Sequence, residues 1–187
     1  MKVRRPREQS REMPAVKALV SAAAVAVLTL AALPASAAEN IRRIGQFDAW
    51  NAYTYTQDGN KVCYMASQPT ETEGAYDERG KVYAMVTHRP AKGARDVVSF
   101  VIGYPFKEDS RVTVTIDGGK DFTLFTHKDT AWAADAETED EMVTTMIQGG
   151  EMVVEGTSNK GTKTTDTYSL IGFTDAHQAI DDACDME

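Results

Sequence analysis

Alternating hydrophobic and polar positions predict a chain that is rich in β-strands. In residues 110–117, valine or isoleucine alternates with arginine or threonine, which is the two-residue period of a strand with one buried face. Residues 117–119 (Asp-Gly-Gly) follow as a turn, and alternation resumes over residues 120–127. Two alternating runs joined by a short glycine-containing turn are typical of a β-hairpin.

The strand pattern recurs in further segments that are separated by glycine, proline, asparagine and aspartate. These segments are residues 49–56, 61–67, 82–88, 96–104, 152–156 and 164–171. The runs 82–86 and 97–102 are apolar at both odd and even positions, so we expect central strands that are covered on both faces. The whole pattern predicts an all-β fold, an antiparallel β-sandwich.

Helical periodicity interrupts the strands twice, at about residues 138–148 and 175–183. The first segment opens with Thr138 followed three residues later by Glu141, a capping box, and Gly149-Gly150 ends it. The second has Thr174 as its expected N-cap and an alanine- and isoleucine-rich stripe that can pack on the sheet. Between two strands, residues 68–80 form a polar, acidic loop, long enough to be functional or simply mobile.

The first 37 residues resemble a secretory signal peptide. A basic start is followed by an uncharged apolar run over residues 18–33 and by Ala35-Ser36-Ala37, the small-x-small pattern of a cleavage site. The alternative is a single membrane anchor, but 16 apolar residues are short for a span. We therefore predict cleavage after Ala37, a single domain over residues 38–187 with no membrane span, and a periplasmic or secreted location.

Removal of the predicted signal peptide changes the net charge of the chain. Export also changes the expected chemistry of the two cysteines. The signal peptide carries six basic and two acidic residues, so the net charge of −8 becomes −12 in the mature chain. So acidic a chain argues against nucleic acid as a partner. Cys63 and Cys184 both remain, and an exported pair without C-x-x-C spacing is most simply a structural disulfide.

Candidate catalytic and metal-binding residues are few. The histidines are His88, His127 and His177, and each is read as a surface or strand-end residue because no metal-ligand spacing links them. The acidic stretches at residues 71–78 and 135–141 lack the pattern of a calcium loop. We predict no catalytic residue, metal site or cofactor, although two carboxylates that meet in the fold could still act as a glycosidase pair.

Aromatic residues leave a second question open. They include Trp50, Tyr53, Tyr55, Tyr104, Phe106 and Trp132. Most are expected in the core, whereas an exposed aromatic row on a sandwich could bind sugar or peptide.

Short motifs in a fixed order resemble the invasion-associated locus B family of exported alphaproteobacterial proteins. Along the chain they are DAWNAY (48–53), KVCY (61–64), GYPF (103–106), IDG (116–118), AW (131–132), MIQGG (146–150), GT (161–162), DTYSLIGF (166–173) and finally Cys184. The resemblance covers nearly the whole mature chain. It implies an exported β-sandwich without known enzymatic activity, and it supplies no catalytic residue.

Three functions therefore remain in view. The first is an exported, non-enzymatic binding or interaction module whose partner is an unidentified envelope or host protein or ligand. The second is a glycosidase-like hydrolase with a carboxylate pair assembled by the fold, and the third is a structural or stress-response protein of the periplasm.

Overall fold

The computed structural model describes residues 40–76 and 78–186. The predicted signal peptide, residues 1–37, lies outside this part of the chain. The strands are β1 (Arg42–Phe47), β2 (Trp50–Gln57), β3 (Asn60–Ser67), β4 (Glu71–Glu73), β5 (Tyr83–Arg89), β6 (Ala94–Val101), β7 (Arg111–Ile116), β8 (Lys120–His127), β9 (Thr130–Trp132), β10 (Glu151–Thr157) and β11 (Lys163–Ser169). The helices are α1 (Ala136–Gln148) and α2 (Phe173–Cys184), with a short 3-10 turn at Pro90–Lys92.

The described strands form one antiparallel sheet that folds over a single core. Their order across the sheet is β1-β2-β3-β5-β6-β9-β8-β7-β10-β11-β4. Inward side chains from both halves of the sheet, such as Val86 and Phe100 on one side and Val114 and Met152 on the other, belong to one buried cluster. The predicted all-β, sandwich-like fold with two short helices is confirmed.

The two helices pack on the inner side of the sheet. Helix α2 contacts β1, β2, β3 and β5, whereas α1 contacts β6. The ring of Phe173 meets Trp50 edge to face at 4.9 Å between centroids, and the indole N–H of Trp50 donates to the carbonyl of Ser169 at 3.0 Å. This aromatic contact anchors the start of α2 because it buries both rings and satisfies the polar atom of the tryptophan.

Both helices begin earlier than the sequence pattern predicts. Helix α1 is capped by Asp135, whose side chain accepts a hydrogen bond from the backbone N–H of Thr138 at 2.8 Å, so Thr138 is not the N-cap. Gly172 rather than Thr174 precedes α2, in a left-handed conformation with φ of 87°. A Cβ at Gly172 would lie 2.1 Å from the carbonyl oxygen of Phe47, so only glycine fits this close approach.

Three short strands were not predicted from the alternation. Strand β1 carries a register shift between Arg43 and Gly45 that breaks its period. Strand β4 contains only exposed residues and occupies part of the predicted loop at 68–80, and β9 has three residues. With three residues each, β4 and β9 offer too few positions for a period of two to be recognised.

The expectation that β5 and β6 are covered on both faces is wrong. Their inward residues are buried, but Tyr83, Met85, Val97 and Val101 on the opposite face are only partly buried. The described helices pack on the inner side of the sheet. The apolar side chains on the outer face of β5 and β6 are therefore only partly shielded from water.

A disulfide joins Cys63 of β3 to Cys184 at the end of α2. Its sulfur atoms lie 2.07 Å apart, its Cα atoms lie 5.9 Å apart, and 121 positions separate the two residues in the chain. The bond attaches the C-terminal helix covalently to the sheet. Neither α1 nor α2, the helices of the described part, has the length and hydrophobicity needed to span a membrane.

Candidate functional site

A buried His–Asp cluster lies where α2 meets β5 and β6. We use this name for His88, Asp96, His177 and Asp181. His88 comes from β5 and Asp96 from β6, whereas His177 and Asp181 lie one helical turn apart on α2. The inward alternation of the strands and the four-residue spacing on the helix bring the four side chains together.

Hydrogen bonds and close charge contacts connect these four residues. Nε2 of His177 lies 2.7 Å from Oδ1 of Asp96, and Nδ1 of His177 lies 3.3 Å from Oδ2 of Asp181. The backbone N–H of Asp96 donates to Nδ1 of His88 at 3.1 Å. Since Nδ1 of His88 accepts this bond, the neutral ring carries its proton on Nε2.

The environment of His88 favours the neutral imidazole. Its side chain is fully buried, and its Nε2 makes no hydrogen bond within the described structure, although Oδ1 of Asp181 lies 3.2 Å away. Burial lowers the pKa of His88 below 6.5 and outweighs the opposing charges of Asp96 and Asp181, while His177 and Arg95 lower it further.

Arg95 closes the cluster on its solvent side. Its Nε lies 3.3 Å from Oδ2 of Asp96, and its Nη2 lies 3.2 Å from Oδ1 of Asp181. Burial would raise the pKa of Asp96, but the hydrogen bond and charge of His177, with smaller effects of His88 and Arg95, keep it below 3.8. The arginine thus balances part of the negative charge of the two carboxylates.

These residues are also the described side chains that come nearest to a metal-ligand set. One ligand atom from each of His88, Asp96 and His177 lies within 4.8 Å of the others. The lone pair of His88 Nδ1 already accepts the backbone N–H of Asp96, and Arg95 contacts both neighbouring carboxylates. Apart from Nε2 of His88, these donor atoms already contact one another or Arg95, and the arrangement is chemically suited to holding α2 on the sheet.

Glu139 in the first turns of α1 bears on the hydrolase alternative. Burial, with the nearby charges of Asp96, Asp140 and Asp135, raises its pKa to about 7 despite an interaction with the backbone of Val98. A catalytic pair requires two carboxylates that face a substrate-sized cleft. Neither Glu139 nor Asp96 lines any of the four cavities described between residues 40 and 186, so none of these cavities brings the raised pKa of Glu139 together with a second carboxylate.

The structure separates the three histidines that the sequence treats alike. His127 is exposed at the end of β8, as predicted, whereas His88 and His177 are buried. The prediction of surface or strand-end residues is wrong for His177, which is buried within α2. For His88 it holds only in the position near the end of β5, because the side chain points into the core. Asp96 and Asp181 were not singled out from the sequence, since nothing in their local patterns distinguishes them from other carboxylates.

A second candidate site is an outer tyrosine face, which we define as Tyr53, Tyr55, Tyr64 and Tyr83. Tyr53 and Tyr64 are direct register partners on β2 and β3, and Tyr55 lies two residues further on the same face. The rings of Tyr53 and Tyr64 stack with centroids 5.0 Å apart, and Tyr55 meets Tyr64 edge to face at 5.9 Å. All four side chains are partly exposed.

The tyrosine rings are crowded but not removed from solvent. Burial, followed by the proximity of Tyr53, Tyr55 and Tyr83, raises the pKa of Tyr64. Their alternation places them opposite the helix-covered side, where Trp50 and Cys63 point into the core. The exposed aromatic row, which the sequence offered as the alternative to core packing, therefore exists on the sheet surface. The expectation of core positions holds for Trp50 and Phe106 but not for Tyr53 and Tyr55, which are partly exposed.

Comparison with known proteins identifies a family. The sequence profile described as "Invasion associated locus B (IalB) protein" matches residues 50–181. The crystal structure of invasion associated protein B from Bartonella henselae is similar, with a TM-score of 0.52 and 16% sequence identity over 74% of this chain and 95% of that one. A search of curated proteins finds no match.

Proposed function

Since the chain belongs to the invasion associated locus B family, we propose that it is an exported, non-enzymatic envelope protein that binds a protein partner on its outer tyrosine face. The observation that carries the proposal is the cluster of four partly exposed tyrosines on three neighbouring strands. The hydrolase alternative has less support. Asp181, Asp182 and Asp185 line one cavity, but Asp181 is paired with Arg95, and Glu139, whose pKa is raised, lines none of the four cavities described.

The proposal of export rests on the sequence of residues 1–37 and on the family. A basic segment, an apolar run and the Ala35-Ser36-Ala37 pattern together form a substrate for signal peptidase. We expect the mature protein in the periplasmic or secreted fraction with Ala38 at its N-terminus. Intact mass and N-terminal sequencing would check this, and an uncleaved chain in the membrane fraction would contradict it.

The chemistry of the tyrosine face suits a protein partner. Tyrosine offers a large contact area and a hydroxyl group at a small cost in side-chain entropy, and it is enriched where proteins meet. Rings that already stack on each other lose little further freedom when a partner covers them. Partly exposed Met85 and Val101 continue the apolar surface towards β6, as expected for the centre of an interface.

A photo-crosslinking experiment tests this surface directly. Benzoylphenylalanine replaces Tyr53 in one variant and Tyr64 in another, and both are irradiated in cells and with host-cell membranes. Ile171 is the matched control position because it is a large apolar residue that is 64% exposed elsewhere on the molecule. We expect one discrete crosslinked protein from the two tyrosine positions and none from position 171.

Two results would contradict the proposal. The first is the same crosslinked species from all three positions, which would indicate indiscriminate contact. The second is no adduct from any position together with a deletion strain that is impaired only under envelope stress, which would favour the structural or stress-response function.

A further inference from the structure

A groove lies at the surface between three segments that the sheet brings together. The segments lead from β4 towards β5, from β6 towards β7, and from β10 to β11. Its lining includes Tyr76, Tyr104, Pro105, Asn159 and Lys160, and its volume is about 770 Å³. A volume of this size is within the usual range of small-molecule sites, roughly 300 to 1,000 Å³. We refer to it as the Tyr76 groove.

A buried ion pair sets the position of the aromatic wall. The guanidinium of Arg79 pairs with both carboxylate oxygens of Asp166, and the Arg79 Nη1 to Asp166 Oδ1 distance is 2.6 Å. Arg79 also donates from Nε to the carbonyl of Ile102 at 2.7 Å. Their side chains are only 7% and 0% exposed, so the pair is held by its surroundings as well as by its own charges.

The guanidinium of Arg79 also contacts the two tyrosines of the groove. Its Nη1 donates a hydrogen bond to the hydroxyl of Tyr76 at 2.7 Å, which holds that ring by its hydroxyl edge. Its carbon atom lies 5.3 Å from the ring centre of Tyr104, within the range of a cation–π contact. The hydroxyl of Tyr104 is hydrogen-bonded to that of Thr164 at 2.6 Å. The two rings stand 6.4 Å apart and are inclined at 50°, so they form a preorganised, angled aromatic wall.

A close backbone approach fixes the base of this wall. The N–H of Gly80 donates to the carbonyl of Gly103 at 2.8 Å. Gly103 has φ of 78°, and a Cβ there would lie 2.5 Å from the carbonyl oxygen of Gly80. Only glycine permits both the conformation and the contact, which keeps Tyr104 and Pro105 next to the segment that bears Tyr76.

Polar side chains without hydrogen bonds in the described part of the chain also line the groove. Asn159, Lys160, Thr162 and Glu78 line the groove, and their side-chain atoms make no hydrogen bond within the described part of the chain. They offer an amide, an ammonium group, a hydroxyl and a carboxylate. Lys160 and Glu78 offset each other in charge, so the groove does not favour a strongly charged ligand.

We propose that the Tyr76 groove binds a neutral oligosaccharide. A pyranose ring combines an apolar C–H face, which can stack on Tyr76 and Tyr104, with hydroxyl groups, which can exchange hydrogen bonds with Asn159 and Thr162. A second cavity of about 540 Å³ shares Gly103, Tyr104 and Pro105 with the groove and carries charged residues of both signs. Two cavities that share these three residues fit a chain of sugar units better than a single one.

This site is separate from the outer tyrosine face, so each can be tested without the other. The probes are maltohexaose, cellohexaose and N-acetylchitohexaose, each compared with its disaccharide and titrated to millimolar concentration into the ¹⁵N-labelled mature protein. We expect at least one hexasaccharide to shift the amide signals of residues 103–106 and 158–162. We also expect it to bind more tightly than its disaccharide.

Variants assign the binding to the groove. Tyr76→Ala should weaken the bound hexasaccharide about tenfold, which corresponds to the loss of one aromatic stacking contact. Asn159→Ala removes an exposed side chain without hydrogen bonds and should weaken binding without a change in thermal stability, which keeps the test valid if Tyr76→Ala fails to fold. Tyr53→Ala on the outer face is the matched control and should bind like the original protein.

Several outcomes would overturn the proposal. Absence of a shift at residues 103–106 and 158–162 with all three hexasaccharides would do so, as would binding that Tyr76→Ala and Asn159→Ala leave unchanged. If the disaccharide bound as tightly as the hexasaccharide, the proposal that the groove binds a chain of several sugar units would be wrong. Capture of a peptide by the groove, with no response to any neutral sugar, would assign the site to a different ligand class.

Discussion

The Arg79–Asp166 pair and the buried His–Asp cluster both place charges inside the same sandwich, and they differ in how those charges are held. Arg79 makes a bidentate pair, and although burial lowers its pKa, the hydrogen bond and charge of Asp166 raise it overall. The guanidinium therefore stays charged at any ordinary pH. The His–Asp cluster instead includes His88, whose burial favours its neutral form.

This difference separates two parts of the molecule by their response to acid. The charge state of the arginine that supports the Tyr76 groove does not change between neutral and mildly acidic pH. The anchoring of α2 depends on an imidazole that the unfolded chain protonates more readily than the folded one. The groove should therefore stay intact where the contact of α2 with the sheet begins to weaken, and the following variants test that separation.

The largest expected effect comes from the Cys63–Cys184 disulfide, which fixes α2 and therefore the His–Asp cluster to the sheet. No such covalent bond supports the Arg79–Asp166 pair. Replacing Cys63 and Cys184 together with serine should lower the free energy of unfolding by about 4 to 5 kcal/mol, because the bond closes a loop of 121 positions. Urea unfolding would measure the loss. An unchanged midpoint, or two thiols that alkylate in the unreduced native protein, would contradict it.

Removing the counter-charge of Arg79 should be nearly as severe. Asp166→Asn leaves a buried guanidinium without its carboxylate, and we expect a loss of about 3 to 5 kcal/mol in unfolding free energy. The matched control is Arg79→Met combined with Asp166→Leu, which removes both charges and should recover most of that stability. A double variant as unstable as Asp166→Asn would show that packing, not charge, dominates this position.

The His–Asp cluster should produce a pH dependence that is absent from the pair. The folded-state pKa of His88 is below 6.5, so its stability contribution is complete above pH 6.5 and declines as the pH falls, by at most about 1.4 kcal/mol per pH unit. Glu139, with a pKa raised to about 7, takes up a proton in the folded state and opposes this trend between about pH 7 and 4.5.

The measurement therefore uses Glu139→Gln as the background. The groups facing His88 are Arg95 and Asp96 of β6 and His177 and Asp181 of α2. In this background we expect unfolding free energy to fall from pH 7 to pH 5, and His88→Gln to remove most of that slope. His127→Gln, a change at the exposed histidine, is the control and should leave the slope as it was. A slope that survives His88→Gln would assign the acid response to another group.

The smallest effect is expected for Glu139→Gln by itself. Burial disfavours the charged form of Glu139 in the folded state, so removing the charge should stabilise the protein at pH 8 and have little effect at pH 5. Because the side chain is only partly buried, solvent screening should keep the gain at pH 8 to about 1 kcal/mol or less. Thermal unfolding at the two pH values would measure it, and destabilisation at pH 8 would contradict this reasoning.

Local patterns account for what could be predicted of the fold and of the outer face. Residues 120–127 were identified with their exact limits because alternation and a turn occur together there. The helices were placed to within two residues, with errors at Asp135 and Gly172, where a side-chain cap and a left-handed backbone decide the start. Strand β1 was missed because its register shift interrupts the period.

The His–Asp cluster and the Tyr76 groove could not be recognised in the same way. Asp96 and His177 are hydrogen-bonded across 81 positions of the chain, and Arg79 and Asp166 across 87. Periodicity relates residues within one element, so it carries no information about which elements meet. The only long-range pair foreseen was Cys63 and Cys184, because two cysteines permit a single pairing.

By itself the sequence determined the strand-rich class, the ordered motifs of the family and the cysteine pair, since each is written in neighbouring residues or in a count. The tertiary structure alone decided which of the chemically similar side chains are buried, exposed or paired with an opposite charge. It buried His88 and left His127 in water, turned the tyrosines of β2 and β3 outward, and paired Arg79 with Asp166. The physical reason is that burial and charge pairing depend on how distant elements pack around one core.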